Sequence, residues 1–346
     1  MTIFGYYAGG WWNVSGILFI FLIIPIADAL VGTDKSNYPD SQKSSVGDDA
    51  FYRWITFLWV PVQFAFLFWT VAKISMLTDF TTLEFAGLLI GSGLTTGGIG
   101  ITVAHELGHK SSKSEQFLSQ ALLMSVFYMH FFIEHNRGHH VHVATPEDPA
   151  TARKGENFYQ FFFRTTIMGW LHALAIENES LKRKNFSPFS VKNRMIWYTV
   201  LPVGFLGLLI LFGKWINPDV GYQLIILFFA GQCLIAIALL ELVNYVEHYG
   251  ITRNKLSDGR YERVNPLHSW NTSFLISNFF LFQLQRHSDH HTYASKRYQV
   301  LDHFDESPQL PFGYPTMVLM ALLPPLWFSV MDKKLEEWRI NQPAAA

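Results

Sequence analysis

Residues 104–110 read AHELGHK. The inner five fit His-Glu-x-x-His. On a helix that pattern sets two histidines on one face to hold zinc, with the glutamate as general base of a metalloprotease. Two further groups compete with that reading. His135, His139 and His140 stand in EHNRGHH, and His287, His290 and His291 in RHSDHH. Spacings of three and four put side chains on one helical face, one turn apart. An adjacent pair adds a ligand about 100° around the helix, where it can reach a second ion. Eight imidazoles are too many for one metal, since a catalytic zinc takes three protein ligands and a water. The protease reading uses His105, Glu106 and His109 and leaves the other groups idle. Imidazole suits zinc, copper, iron and nickel, and two ions sharing eight or nine imidazoles point to a redox centre. The soluble di-iron pattern, a Glu and a Glu-x-x-His pair from facing helices, is missing. A third reading is metal storage or transport, which would bind metal without consuming O2.

The elements that must position these groups are membrane helices. Of 346 residues, 50% are hydrophobic and 15% charged, whereas a soluble domain carries about 25% charged residues. The net charge of -1 and the lack of a long basic run give no sign of nucleic-acid binding. Cys233 is the single cysteine, so neither a disulfide framework nor a cysteine metal site is possible. The first apolar run lacks a basic flank and an Ala-x-Ala exit, so no cleaved signal peptide is expected.

A span needs about 20 mostly apolar residues. Five segments qualify: 11–31, 54–77, 83–104, 196–213 and 222–243. Residues 117–133 are apolar but short. Residues 316–330 are broken by Pro324 and Pro325 and read as interfacial. The tail Pro343-Ala344-Ala345-Ala346 is expected to be disordered. Of 26 Lys and Arg, three fall in 32–53, eleven in 105–194 and ten in 244–346. Only Lys73 and Lys214 lie elsewhere, near the short connections 78–82 and 214–221. Basic loops face the cytoplasm, so the three regions share that side and the N-terminus lies outside. Residues 117–133 then cannot span and read as a helix buried among cytoplasmic helices or dipping into the bilayer. The expected fold is an all-α polytopic bundle, a single domain over 1–346, with a cytoplasmic helical cap that carries the histidines.

His105 closes the third span, and His248, in NYVEHYG, lies just past the fifth. A histidine at the membrane edge is a functional candidate by default. His130 reads as packing, and His142 points away from His140. His172 and His303 are isolated. His268, in NPLHSWN, reads as packing or as a gating or ligand-orienting residue. Glu106, Glu134, Glu247, Asp289 and Asp302 are candidates to accept the second ring N–H of a ligand histidine. Asp148, in TPEDPAT, reads as a turn or cap.

HELGHK, EHNRGHHVHVATPEDPAT, NYVEHYG and LQRHSDHHTYASKRYQ together resemble the integral-membrane alkane monooxygenases of the AlkB type, within the membrane fatty acid hydroxylases and desaturases. The likeness is dense from about residue 104 to 331 and includes QLPFGYP and PPLWFSVMD. It implies nine histidine ligands for two non-haem irons: His105, His109, His135, His139, His140, His248, His287, His290 and His291. It implies insertion of one O2 oxygen into a terminal C–H bond of an n-alkane. The electrons come from rubredoxin and an NAD(P)H-rubredoxin reductase, and the site faces the cytoplasm from a bacterial inner membrane. One cysteine cannot build a fused rubredoxin, so the donor is separate. Related enzymes acting on alkyl-aromatic or fatty acyl chains are the near alternative, and a zinc protease built on HELGH the remote one. The family has six spans and this chain five, so the first family span is expected to be missing. A substrate path would run beside GLLIGSGLTTGGIG, residues 87–100, with Ile20, Phe21, Phe64 and Phe68 along it. Arg286, Lys296 and Arg297 would face an acidic donor.

Overall fold

A computed structural model describes residues 1–77 and 82–341. The expected tail, and all but Thr82 of the connection 78–82, lie outside the described residues. Among those described, every regular element is helical, with three isolated β-bridges as the only strand-like pairing. Five helices among the described residues are long and apolar enough to cross a membrane: Gly10–Val31, Ala50–Met76, Leu83–Gly108, Arg194–Ile216 and Tyr222–His248. They are the five segments expected from hydropathy, with ends that shift by no more than five residues. Residues 117–133 fold as a helix Lys113–Met124 and a short helix Phe131–Glu134. Residues 316–330 divide between helices Tyr314–Ala321 and Pro324–Asn341, because a proline pair suits a first helical turn and not an interior.

The chain forms two compact units. The first comprises Met1–Ile23, Asp48–Glu134 and Ala173–Leu240. Leu67, Val71, Ile74, Leu88, Leu209, Ile225 and Phe228 form its core. Phe64 and Phe68, expected along a substrate path, pack edge-on against Phe205, and Phe68 also against Phe212. Polar groups pin the spans internally. Gln63 donates to the Ser125 hydroxyl, Gln232 to the Ser125 carbonyl, and the Thr96 hydroxyl to Gln232. Inside a bilayer each such group must find a protein partner.

The glycine-rich run lets the third span approach the fifth. A methyl group on Gly97 would stand 2.8 Å from the Cα of Ala236, and one on Gly93 would stand 2.6 Å from the Cβ of Ile235. Small residues at such crossings replace hydrophobic burial as the source of helix association in lipid. Gly97→Ala is therefore expected to cost about 1–3 kcal/mol through overpacking. Gly204→Ala, whose methyl would meet nothing within 4 Å, is expected to stabilise by up to about 1 kcal/mol through helix propensity. Thermal unfolding of both variants in detergent checks the contrast.

The second unit comprises Ile24–Gly47, His135–His172 and Glu241–Ala346. Its buried aromatics include Tyr245, Tyr249, Trp270, Tyr314 and Trp327, and the first four use their polar tips to brace the chain. The Tyr249 hydroxyl donates to Asp332 and accepts from the Gly155 amide, and Trp270 donates to the Tyr249 carbonyl. Arg286 is buried and donates to the carbonyls of Leu301 and Asp34. That bracing holds the short helix His287–Thr292 in place without the length a helix normally needs to be stable.

Candidate metal centre

Seven of the nine histidines lie in the second unit, and they regroup across the sequence clusters. His139, His248, His287 and His291 are all buried, with one donor atom of each within 4.8 Å of the others. The Nε2 of His287 stands 2.9 Å from that of His291 and 3.2 Å from that of His248, and His139 stands 3.2 Å from His291. His140 Nε2 lies 3.1 Å from Nε2 of both His135 and His290. Two imidazole nitrogens each about 2.1 Å from a shared ion stand roughly 3.0–3.4 Å apart, so these spacings fit metal coordination. Neutral imidazoles whose Nε2 lone pairs converge suit a cation between them. In the first unit His105 and His109 lie one turn apart, ring centroids 4.8 Å apart.

Backbone geometry sets the sorting. Residues His135–His139 form a π-helical turn between Phe131–Glu134 and His140–His142. Widening the turn to an i→i+5 repeat brings His140 round to the side of His135, which an α-helix would not do. His139 and His135 stack at 5.2 Å, but the Nε2 of His139 goes to the other group. In His287–Thr292 ordinary spacing holds. His287 and His291, four apart, share one group, and His290 turns to the other.

Asp148 corrects the expectation that it is only a turn residue. One oxygen does accept from the Ala150 amide. The other lies 2.8 Å from His139 Nδ1 and accepts from the Thr151 hydroxyl at 2.6 Å. Burial alone would raise its pKa, but the His139 ring beside it and the hydrogen bonds from His139 and Thr151 outweigh that and hold it below the ordinary carboxylate range. The ionised carboxylate accepts a hydrogen bond from the Nδ1–H of His139, so the Nε2 lone pair faces the group. Burial, then the surrounding imidazoles, pushes His291 well below the ordinary histidine range, which keeps it in the neutral form that binds metal.

Glu247 takes a different place from the one expected. Its Oε2 lies 3.1 Å from Nε2 of His287, the atom that faces the group, and its Oε1 accepts from the Tyr314 hydroxyl at 2.6 Å. Glu106 pairs with Lys110 at 3.0 Å. Asp289 and Asp302 both take Lys296 at 2.6 Å, and Asp302 also takes Lys43 at 2.8 Å. Lys296 and Arg286, expected to face a donor, are thus occupied within the fold. Burial works to raise the Asp302 pKa, and Lys296 and Lys43 reverse it, so its folded value lies below the ordinary one. A depressed carboxylate stabilises above its unfolded pKa of about 3.9 and loses that contribution as pH falls through the folded value. The stability gap between the native chain and Asp302→Asn is expected at neutral pH and should close as pH falls through the folded value, as read by acid titration of unfolding.

The remaining histidines have local roles. Burial pushes His130 down to about 4, and its ring lies 4.3 Å from that of Tyr128. His142 reaches Glu147 at 3.1 Å, and its ring lies 5.8 Å from His172. His303 meets Ser273 and Asp305. His268 accepts from the Asn265 amide and lies 3.3 Å from Glu262, which ties down the loop before it.

Comparison with known proteins decides the family. Residues 80–319 match the fatty acid desaturase family, a stretch that contains all nine histidines. Alkane 1-monooxygenase 2 of Pseudomonas aeruginosa is 43% identical over 335 residues, 96% of this chain and 86% of that protein. This chain belongs to the alkane monooxygenases of the fatty acid desaturase family. Alkane 1-monooxygenase 2 of Alcanivorax borkumensis is 41% identical over 95% of this chain and 84% of its own length. The xylene/toluene monooxygenase hydroxylase component XylM of Pseudomonas putida is 29% identical over 74% of this chain and 66% of its own. A membrane monooxygenase family explains why the HELGH pair occurs with two more histidine groups, and the histidine sets are consistent with non-haem iron.

Proposed function

We propose that this chain is an alkane 1-monooxygenase that converts an n-alkane, O2, two electrons and two protons into a primary alcohol and water. The observation that carries the proposal is the convergence of seven buried or part-buried histidines into two donor sets in a chain 43% identical to an alkane 1-monooxygenase. His139, His248, His287 and His291 would hold one iron. His135, His140 and His290 would serve the other, with His105 and His109 assigned as its further ligands by family motif. Bound iron supplies the oxidising chemistry that an unactivated methyl group requires. The chain's own residues do the rest. Asp148 fixes the ring of His139, the buried Glu247–Tyr314 pair sets a carboxylate beside His287, and close packing around the helix His287–Thr292 keeps water out.

The electrons come from a separate rubredoxin reduced by its NAD(P)H-dependent reductase. The chain acts as one functional domain in a bacterial inner membrane, with its site in a helical cap on the cytoplasmic side, where most Lys and Arg concentrate. The test is a substrate panel with added rubredoxin and reductase. Terminal alcohols from n-alkanes are expected, with O2 consumed in step. Turnover of xylene or a fatty acyl chain in preference to alkanes would move the chain to the neighbouring specificity. Peptide hydrolysis with one bound zinc would return it to the HELGH reading.

A further inference from the structure

The segment that leads into the fourth span holds apolar side chains out of the fold rather than in it. Phe189 is 92% exposed and Val191 75% exposed, and Phe186 is exposed beside them. This is no loose loop. The Asn193 side chain donates to the Pro188 carbonyl at 2.6 Å, and the Ser190 amide donates to the Ser187 carbonyl and the Asn193 amide to that of Ser190. The Ser187 and Ser190 hydroxyls accept from the amides of Phe189 and Lys192. Asn185 adopts φ of 58° to turn the chain out of the preceding helix. Holding Phe189 and Val191 in water would cost the apolar burial they forgo, so a rigid loop that does so has an apolar partner.

Charge surrounds the apolar tip. Lys182, Arg183, Lys184 and Lys192 are all exposed. Arg183 has Glu179 and Arg194 has Glu177. Among the described residues Lys182, Lys184 and Lys192 have no carboxylate partner, and Lys192 lies over the Phe186 ring at 3.6 Å. The segment is continuous with the span Arg194–Ile216. Trp197 and Trp215 are exposed near the two ends of that span. They are 18 residues apart in sequence, about 27 Å along a helix, close to the hydrocarbon thickness of about 30 Å. Exposed tryptophans at that spacing mark the two interfaces. Trp197 also donates to the Val191 carbonyl at 2.8 Å, which ties the loop to the interface level.

We infer that residues 182–192 form a lipid-binding anchor: Phe186, Phe189 and Val191 enter the interfacial layer, and Lys182, Lys184 and Lys192 pair with phosphates of anionic phospholipids. Apolar side chains that enter the headgroup boundary beside lysines bind by buried area and by attraction to anionic lipid together.

The test uses the full chain in nanodiscs. Cys233 is buried and is the only cysteine, so Cys233→Ser provides a background for one nitroxide at Phe189→Cys and, as an aqueous reference, at Ser257→Cys, an exposed position in a charged turn. The label at 189 is expected to collide several-fold less with a water-soluble nickel chelate and more with O2 than the label at 257. The contrast should grow when phosphatidylglycerol replaces phosphatidylcholine. Replacing Lys182, Lys184 and Lys192 together with glutamine should abolish that lipid dependence and lower the phosphatidylglycerol retained per chain in native mass spectrometry. Equal chelate collision at 189 and 257 would overturn the anchor. Protection at 189 with no dependence on lipid charge or on the lysines would overturn the headgroup recognition, and would leave a protein partner as the cover.

Discussion

Replacing both His287 and His291 with alanine is expected to halve the bound iron, from about two ions per chain to about one, and to lower alkane hydroxylation by more than about 100-fold. His291 Nε2 is within hydrogen-bonding distance of both His139 and His287, and His287 Nε2 of His248. Losing these two leaves His139 and His248, and two imidazoles do not hold an ion against buffer and chelators. The other set keeps His135, His140 and His290. Both side chains are buried, so some stability is also lost, and a comparison is needed that separates the effects. His268→Gln removes a buried histidine whose polar partners are Asn265 and Glu262, not a ligand histidine. It is expected to keep both irons. Elemental analysis of anaerobically purified protein, beside helical content by circular dichroism, decides the matter. If the double variant folds and keeps two irons, the four histidines do not form one site.

The second large effect is at Asp148. Asp148→Asn is expected to weaken iron binding by about 10–100-fold, measured by chelator competition. The side chain keeps its size, so the defect is electrostatic. The carboxylate now accepts from the Ala150 amide, the Thr151 hydroxyl and His139 Nδ1. An amide in the same place has one acceptor oxygen: in one orientation its NH2 group would face both the Nδ1 proton of His139 and the Thr151 hydroxyl, and in the other it would face the Ala150 amide N–H. The imidazole would then lose its orientation and its lone pair would no longer be held toward the ion. Thr151→Val separates the two contributions. It also removes the acceptor for the Ala144 amide, so it is expected to cost about 1–3 kcal/mol of stability while iron affinity stays closer to that of the native chain. Equal losses of affinity in the two variants would mean that Asp148 acts through the turn alone.

Much of this molecule is legible without coordinates. Five long apolar runs can satisfy their backbone groups in lipid only as helices, and the spans fall where hydropathy put them. The histidine groups were visible because spacings of three and four survive any packing of the helix that carries them. HELGHK and RHSDHH are such cases, since the helices Thr102–Gly108 and His287–Thr292 follow ordinary α geometry. Family membership also follows from the sequence, through motifs that recur in order over most of the chain.

Only the tertiary structure decided how the histidines are shared. Within EHNRGHH an α-helix would set His135 beside His139 and leave His140 aside. The π-helical turn brings His140 to His135 and frees the Nε2 of His139 for His248, His287 and His291. No local pattern announces that turn, because the partners it serves lie more than 100 residues away in sequence. The carboxylates tell the same story. Asp148 looked like a turn residue and is one, yet its second oxygen holds His139. Asp302 looked like a partner for a ligand histidine and is held instead by Lys43 and Lys296. A short polar side chain has several possible partners along the chain, and which of them it meets is set by long-range packing. Apolar length and helical periodicity are properties of a segment, so sequence states them. The sharing of ligands and their supporting hydrogen bonds belongs to several segments at once, and it exists only when they are folded together.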